Sequence, residues 1–502
     1  MMLVNRDYRL LWTGQLISQT GDFVFDTTLA LWIGTVVLAG RSYAPVAVSG
    51  LIVAVALATL LVGPPAGVFV DRWDRRRTMM AADLTRAALT GALTVVAFLP
   101  AGTLPDGAVL VAAYATVFLA TCAAQFFNPA RFALVGKVVE PGDRARAAGI
   151  GQATQAIASI AGPPLAAPLL FAVGVRWALL LNALSFLVSF AVVRRMRIGG
   201  VRSRDAKAAD PGRGAADAHT GGALRGSWRA EFVAGLGLVA GSRVVTALLV
   251  SAALATVGTG ALNSLDVFFV TDNLGAAARW YGTLEMALGF GLVAGALVAA
   301  AVTVRLGAHR VFAAGLALTG LGLVVYSRLT GLGPALVTLA LIGLPLAALN
   351  TAVTPVLLSA VPQSHLGRVI AVINPVQQLA SLVGVAASGW LASTGLHGLD
   401  AEVAGVHLGP IDTIFSVAGL LVMAGGAYAA VAMRGAGAAP PAAVPSPRAE
   451  GVPGSPRAEA DAGPSAAEGR PSSAAPGTPA GDGPSAADGR PGEPDVTPPA
   501  SA

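Results

Sequence analysis

Apolar residues run in long blocks through most of the chain, broken by short clusters of arginine, glycine and proline. Blocks of about twenty such residues are what a helix needs to cross the hydrocarbon of a bilayer. Nineteen-residue windows predict twelve spans, at residues 10–38, 44–70, 79–99, 108–127, 147–171, 177–193, 244–270, 281–304, 311–327, 334–358, 369–392 and 411–433. The apolar run that starts at Leu10 continues to Ala39, so it reads as a first span and not as a removed leader. Residues 194–243 break the pattern: 199–226 reads as a flexible linker and 228–239 as an amphipathic helix on the membrane face. After Arg434 the chain turns to Pro, Ala, Gly and Ser, with near-copies at 463–471 and 483–491, and buries too little apolar area to offset chain entropy. The expected organisation is a six-span half at 1–198, a linker at 199–243, a second six-span half at 244–434 and a disordered tail at 435–502. The predicted fold class is all-α, with twelve transmembrane helices in two pseudo-symmetric halves.

The halves can be aligned on each other. One offset of 222 residues, that from Asn128 to Asn350, also pairs Arg146 with Arg368, Gln152 with Asn374, Gln155 with Gln377 and Gly162 with Gly384. A duplicated six-span unit related by an axis along the membrane normal accounts for this register.

Composition narrows the class. Of 502 residues, 55% are hydrophobic and 12% charged, about half the charged share of a soluble domain and too little to cover one. The single cysteine, Cys122, rules out a disulfide framework, and the five histidines show no ligand spacing, so no metal site is predicted. The formal charge of +6 comes from arginine clusters between spans, which argues against nucleic acid as a partner. Arg6, Arg9, Arg72, Arg75, Arg76, Arg77, Arg131, Arg144, Arg146, Arg305, Arg310, Arg368 and Arg434 all fall at one membrane face if the amino terminus is cytoplasmic. That bias predicts cytoplasmic termini. Scarce lysine and abundant Ala, Gly, Arg and Pro suit a GC-rich bacterium, and hence its plasma membrane. Gly289, Gly291 and Gly295 lack the preceding strand that a nucleotide loop needs and read as helix contacts. No Walker sequence is present, and no cofactor is expected.

Polar groups inside hydrocarbon are costly, so the few within the spans carry the chemistry. Gln15, Gln19, Asp22 and Asp26 are spaced by four, three and four, which stacks them on one face of the first span. Such a stripe lines water or meets polar partners on another helix. Two carboxylates one turn apart in a poorly solvated cavity resist ionising together, which makes Asp22 and Asp26 candidates for taking up and releasing protons. Gln125, Gln152, Gln155, Asn263, Asp266, Asn350, Asn374 and Gln377, also at helical spacings, are candidates for a substrate cavity bordered by both halves. Asp83 and Arg86, one turn apart, read as a local ion pair.

Between the second and third spans lies Gly67-Val-Phe-Val-Asp71-Arg72-Trp73-Asp74-Arg75-Arg76-Arg77. This stretch resembles the signature loop of major facilitator superfamily transporters, with Asp74 where a glycine is usual. The resemblance makes Gly67 a close-contact position and Gly67, Asp71, Arg72, Arg75 and Arg76 a gating loop. Asp71 is expected to face the amino-terminal end of the eleventh span, while Arg75 and Arg76 hold neighbouring helix ends; in the family this contact latches the outward-facing state. Gly162, Pro163 and Pro164 resemble the helix-bend motif of the family's exporters. Asn5-Arg6-Asp7-Tyr8-Arg9-Leu-Leu-Trp12, with Gly14-Gln15 and Gly21-Asp22, is similar to bacterial drug and siderophore exporters. The fourth span, taken as 108–127, lacks the arginine that many proton-driven exporters use as a relay. The resemblance implies a monomeric secondary transporter that exports small amphipathic compounds by proton antiport, with no enzymatic step; its partners are a small-molecule substrate, protons and the lipid bilayer. The alternatives are an importer of a nutrient or metabolite on the same fold, and a non-transporting scaffold or sensor.

Overall fold

The computed structural model describes residues 4–100, 102–196, 228–362, 365–403 and 406–434, all within one compact unit. The predicted linker at 199–226 and tail at 435–502 lie outside the described residues. Six long helices come first: α1 (Arg6–Trp32), α2 (Ala44–Arg72), α3 (Arg75–Phe98), α4 (Asp106–Val138), α5 (Arg144–Pro168) and α6 (Val175–Arg195). A shorter helix, α7 (Trp228–Gly241), precedes α8 (Arg243–Phe268), α9 (Tyr281–Leu306), α10 (Ala308–Tyr326), α11 (Leu332–Ala360), α12 (Leu366–Trp390) and α13 (Pro410–Ala432). A small antiparallel ribbon, β1 (Ala401–Val403) with β2 (Val406–Leu408), joins α12 to α13.

Eleven of these helices are long and apolar enough to cross a membrane. The twelfth is α1, whose 27 residues span about 40 Å and whose hydropathy is lowered by its own polar stripe. The largest departure from the predicted boundaries is α4, which continues past residue 127 to Val138 with Pro129 inside it. Proline frees one carbonyl, and neighbouring helices satisfy such groups, so the helix need not end there. Arg131 and Lys137 therefore ride on the helix and not in a loop.

Local chemistry fixes the helix ends. Asn5 caps α1 by accepting from the Tyr8 amide at 2.7 Å, and its own amide donates to the Val138 carbonyl at the end of α4. Asp74, the residue standing where the signature loop has glycine, caps α3 by accepting from the Arg77 amide at 2.8 Å. Gly307, at φ 85°, makes the corresponding tight turn between α9 and α10.

Packing repeats across the two sets of six. In the first, α1 packs on α5 and α6, α2 on α4, and α3 on α4 and α6; in the second, α8 packs on α12 and α13, α9 on α11, and α10 on α11 and α13. Gly162 lets α5 approach Phe23 of α1, and Gly384, its partner in the offset alignment, lets α12 approach Val257 of α8. π-turns follow α1, α5, α8 and α12, again in matching positions. The sets meet along α2–α12 and α5–α9, a pair of contacts that the same correspondence interchanges.

The two ends of the bundle differ. At the end away from the arginine-rich loops, one apolar cluster runs through both sets and includes Leu31, Ile33, Val48, Phe268, Leu284 and Phe415. There the Val46 amide donates to Ser393 Oγ at 3.0 Å across the α2–α12 contact. Gly389 lies against Ser49, and Gly282 against the Pro163 carbonyl. At the basic end the core separates: Leu248, Phe312, Val356 and Val372 belong to a cluster of the second set, while Leu11, Met79, Leu134 and Val193 form one of the first. The bundle is thus closed at one end and parted at the basic end. The helix α7 packs on the basic end of α12, with Gly235 against the Arg368 carbonyl.

Candidate substrate and proton site

The polar stripe of α1 turns toward α2, α3, α4 and α5. Gln15, Gln19, Asp22 and Asp26 line one cavity of about 350 Å³ together with Thr59, Arg86, Gln125, Asn128 and Gln155. A second cavity, about 200 Å³, shares Gln15, Gln19 and Gln155 and adds Trp12, Arg131 and Gln152. Six of the proton and cavity candidates, counting both aspartates, thus surround the larger space, and Gln152 joins the smaller. The larger volume lies within the range of small-molecule sites.

Two arginines set the electrostatics. Arg86 of α3 is 5% exposed, with Nη2 2.6 Å from Asp83 Oδ1 and Nη1 3.6 Å from Asp22 Oδ2. Its guanidinium lies over the rings of Phe186 and Phe127, at 4.3 and 4.8 Å from their centroids. The Asp83–Arg86 pair is therefore not merely local, as its spacing suggested, because it reaches the α1 stripe. Asp83 is fully buried whereas Asp22 keeps 40% of its side chain exposed, so Asp22 is the carboxylate that a bound molecule can meet.

Arg131 donates through Nη1 to Gln15 Oε1 at 2.9 Å. The fourth helix thus does carry an arginine against α1, one turn beyond the predicted end of the span. The series Gln125, Asn128, Arg131 continues at helical spacing, a signal that the early boundary cut off. Gln15 Nε2 and Gln19 Oε1 are buried without a partner among the described residues, leaving one donor and one acceptor beside the cavities. Close to them, Tyr8 donates to the Ala147 carbonyl and Trp12 Nε1 to Thr154 Oγ1, both at 2.7 Å, which fixes α1 on α5. Residues of the amino-terminal motif act here as anchors.

Candidates from the second half do not line these two cavities. Asn263, Asn350 and Asn374 are exposed and Gln377 is half-buried. Asp266 is 2% exposed and accepts from the Tyr326 hydroxyl at 2.7 Å, beside the Phe269 and Phe415 rings at the closed end. Both described cavities are walled by the first half alone, and not by both halves as the polar pattern suggested.

In the charged loop, Arg76 donates to the carbonyls of Val193, at 3.1 Å, and Arg194, and so holds the end of α6. Among the described residues, nothing lies within 4 Å of the position a Cβ would take at Gly67.

Among the described residues, twelve long helices in two matched sets, eleven of them long and apolar enough to span a bilayer, closed at one end and with polar cavities in the first set, define a multi-pass membrane protein. Residues 11–275, more than half of the chain, match the model of the Major Facilitator Superfamily, and the chain belongs to that family. It is 26% identical over 333 residues to the uncharacterized MFS-type transporter YkuC of Bacillus subtilis (strain 168), covering 63% of this chain and 71% of that one. Macrolide efflux protein A of Streptococcus pyogenes is 34% identical over 144 residues, which is 27% of this chain and a third (33%) of that protein. Among solved structures, a bacterial homologue of the iron transporter ferroportin in an inward-facing state superposes with a TM-score of 0.63 at 14% identity, covering 86% of this chain and 99% of that one. A bacterial homologue of the human lysosomal transporter Spinster, inward-facing and unoccupied, gives 0.59 at 14% identity, covering 85% and 96%.

Proposed function

We propose that this transporter exports small amphipathic compounds, of the drug, antibiotic or siderophore kind, from a bacterial cell in exchange for protons. The observation that carries the reading is Asp22: an acid on the cavity wall, held by the buried Arg86 and still open to a ligand. In the inward-open state a cationic or hydrogen-bonding substrate competes with Arg86 for this carboxylate. After the halves rock, protons from outside neutralise Asp22 and Asp26, the attraction is lost and the substrate leaves. Gln15, Gln19, Gln125, Gln152 and Gln155 supply the neutral contacts that orient it. The arginine distribution supports a cytoplasmic location for the basic end and both termini, in the plasma membrane. The similarity to a macrolide efflux protein supports outward movement. The working units are the halves 1–198 and 244–434, the linker 199–243 and the tail 435–502, in a monomer.

Flux of a lipophilic cation from proteoliposomes with an imposed pH gradient tests the coupling. Collapsing the gradient is expected to reduce uphill flux at least about tenfold. Asp22→Asn is expected to lose uphill flux while retaining downhill exchange. Wild-type uphill flux that ignores the gradient would overturn the reading.

A further inference from the structure

A groove of about 860 Å³ opens between the basic ends of α10 and α13, in the second half and away from the polar cavities. These two helices pack chiefly on each other and on their own set, so the groove lies on the outer wall of the bundle and not between the halves. Its walls are kept thin by Ala313, Ala317, Gly426 and Ala430, and its floor is the close crossing where Gly426 meets the Ala313 carbonyl and the Ala317 amide. From Arg310 to Ala317 it reaches seven residues along the helix, about 10 Å along its axis from the basic end.

The mouth is cationic. Arg310 and Arg434 stand exposed on its two sides, and His309 lines it with its Nε2 buried and without a partner among the described residues. Among the described residues, no aspartate or glutamate lines the groove. A methyl-walled trough that runs into the membrane below two guanidinium groups fits one kind of molecule: an acyl chain carrying a phosphate at the level of the membrane surface.

We propose that this groove is a binding site for an anionic phospholipid of the leaflet at the basic end, with its phosphate between Arg310 and Arg434 and an acyl chain against Ala313, Ala317 and Ala430. Phosphatidylglycerol satisfies both parts of the site. Free phosphate satisfies only the mouth, and a zwitterionic lipid sets its own ammonium or choline against the arginines. The site is independent of which compound is transported.

Native mass spectrometry of the full chain, released from micelles doped with phosphatidylglycerol or with phosphatidylcholine of the same acyl chains, tests the assignment. Phosphatidylglycerol is expected to be retained at least about tenfold better. Arg310→Gln with Arg434→Gln is expected to lower that retention by about fivefold for each arginine lost. Ala430→Trp, which fills the trough and leaves the charges in place, is expected to lower it as well, and inorganic phosphate is expected not to displace the lipid. Equal retention of the two lipids would overturn the proposal, as would wild-type retention in the double arginine variant. Displacement by phosphate alone would reduce the site to a surface anion contact. Retention that rises when residues after Arg434 are removed would make the chain's own continuation the occupant.

Discussion

At the residue scale, the candidate site is organised by the buried Arg86 and its two acids. Removing one member of a buried ion pair leaves the other uncompensated, at a cost of about 3–5 kcal/mol. Arg86→Met strands the fully buried Asp83 and is expected to lower thermal unfolding midpoints in detergent markedly. Adding Asp83→Asn is expected to restore part of the loss, and a double variant no more stable than Arg86→Met would show that the pair is not the cause. The α1 stripe was legible because four polar residues at helical spacing in an apolar run have one physical reading. Its partners were not. Spacing reports which residues share a face of one helix, whereas the bridge from Arg86 to Asp22 depends on how α3 lies against α1. Arg131 was within reach of the same spacing argument, one turn past the end of the apolar window at residue 127.

At the element scale, hydropathy located the helices well, because a span must be long and apolar whatever it packs on. The repeat was equally legible: residues paired by the 222-residue offset, such as Gly162 and Gly384, stand at matching helix crossings. Less visible were the contacts that close one end. Gly282 lies where a Cβ would come within 2.7 Å of the Pro163 carbonyl, and Gly389 where it would run into Ser49 Oγ. Side chains there must hold the halves apart at that end. Gly282→Leu and Gly389→Val are therefore expected to shift the resting population away from the state described and to slow turnover several-fold. Maleimide labelling of a cysteine placed at Gln152, in a Cys122→Ser background, should fall from the basic side. Unchanged labelling in both variants would mean that these crossings do not govern closure.

At the scale of the whole molecule, the central claim is that two matched six-helix sets rock about the α2–α12 and α5–α9 contacts and expose the polar site to one side at a time. Neither hydropathy nor motif spacing reveals which side is open, because each apolar surface serves more than one arrangement of the halves. The state follows from the split core at the basic end and the shared core at the other. The most direct test places spin-label pairs across both ends, at Ala148 with Ala371 on the basic side and Ser42 with His397 on the other, all of them exposed positions. Pulsed distance measurements in nanodiscs, with pH and transported compound varied, should give two populations at each end, the basic pair shortening as the opposite pair lengthens. Distances at both ends that stay fixed under every condition, or that lengthen together, would contradict the account.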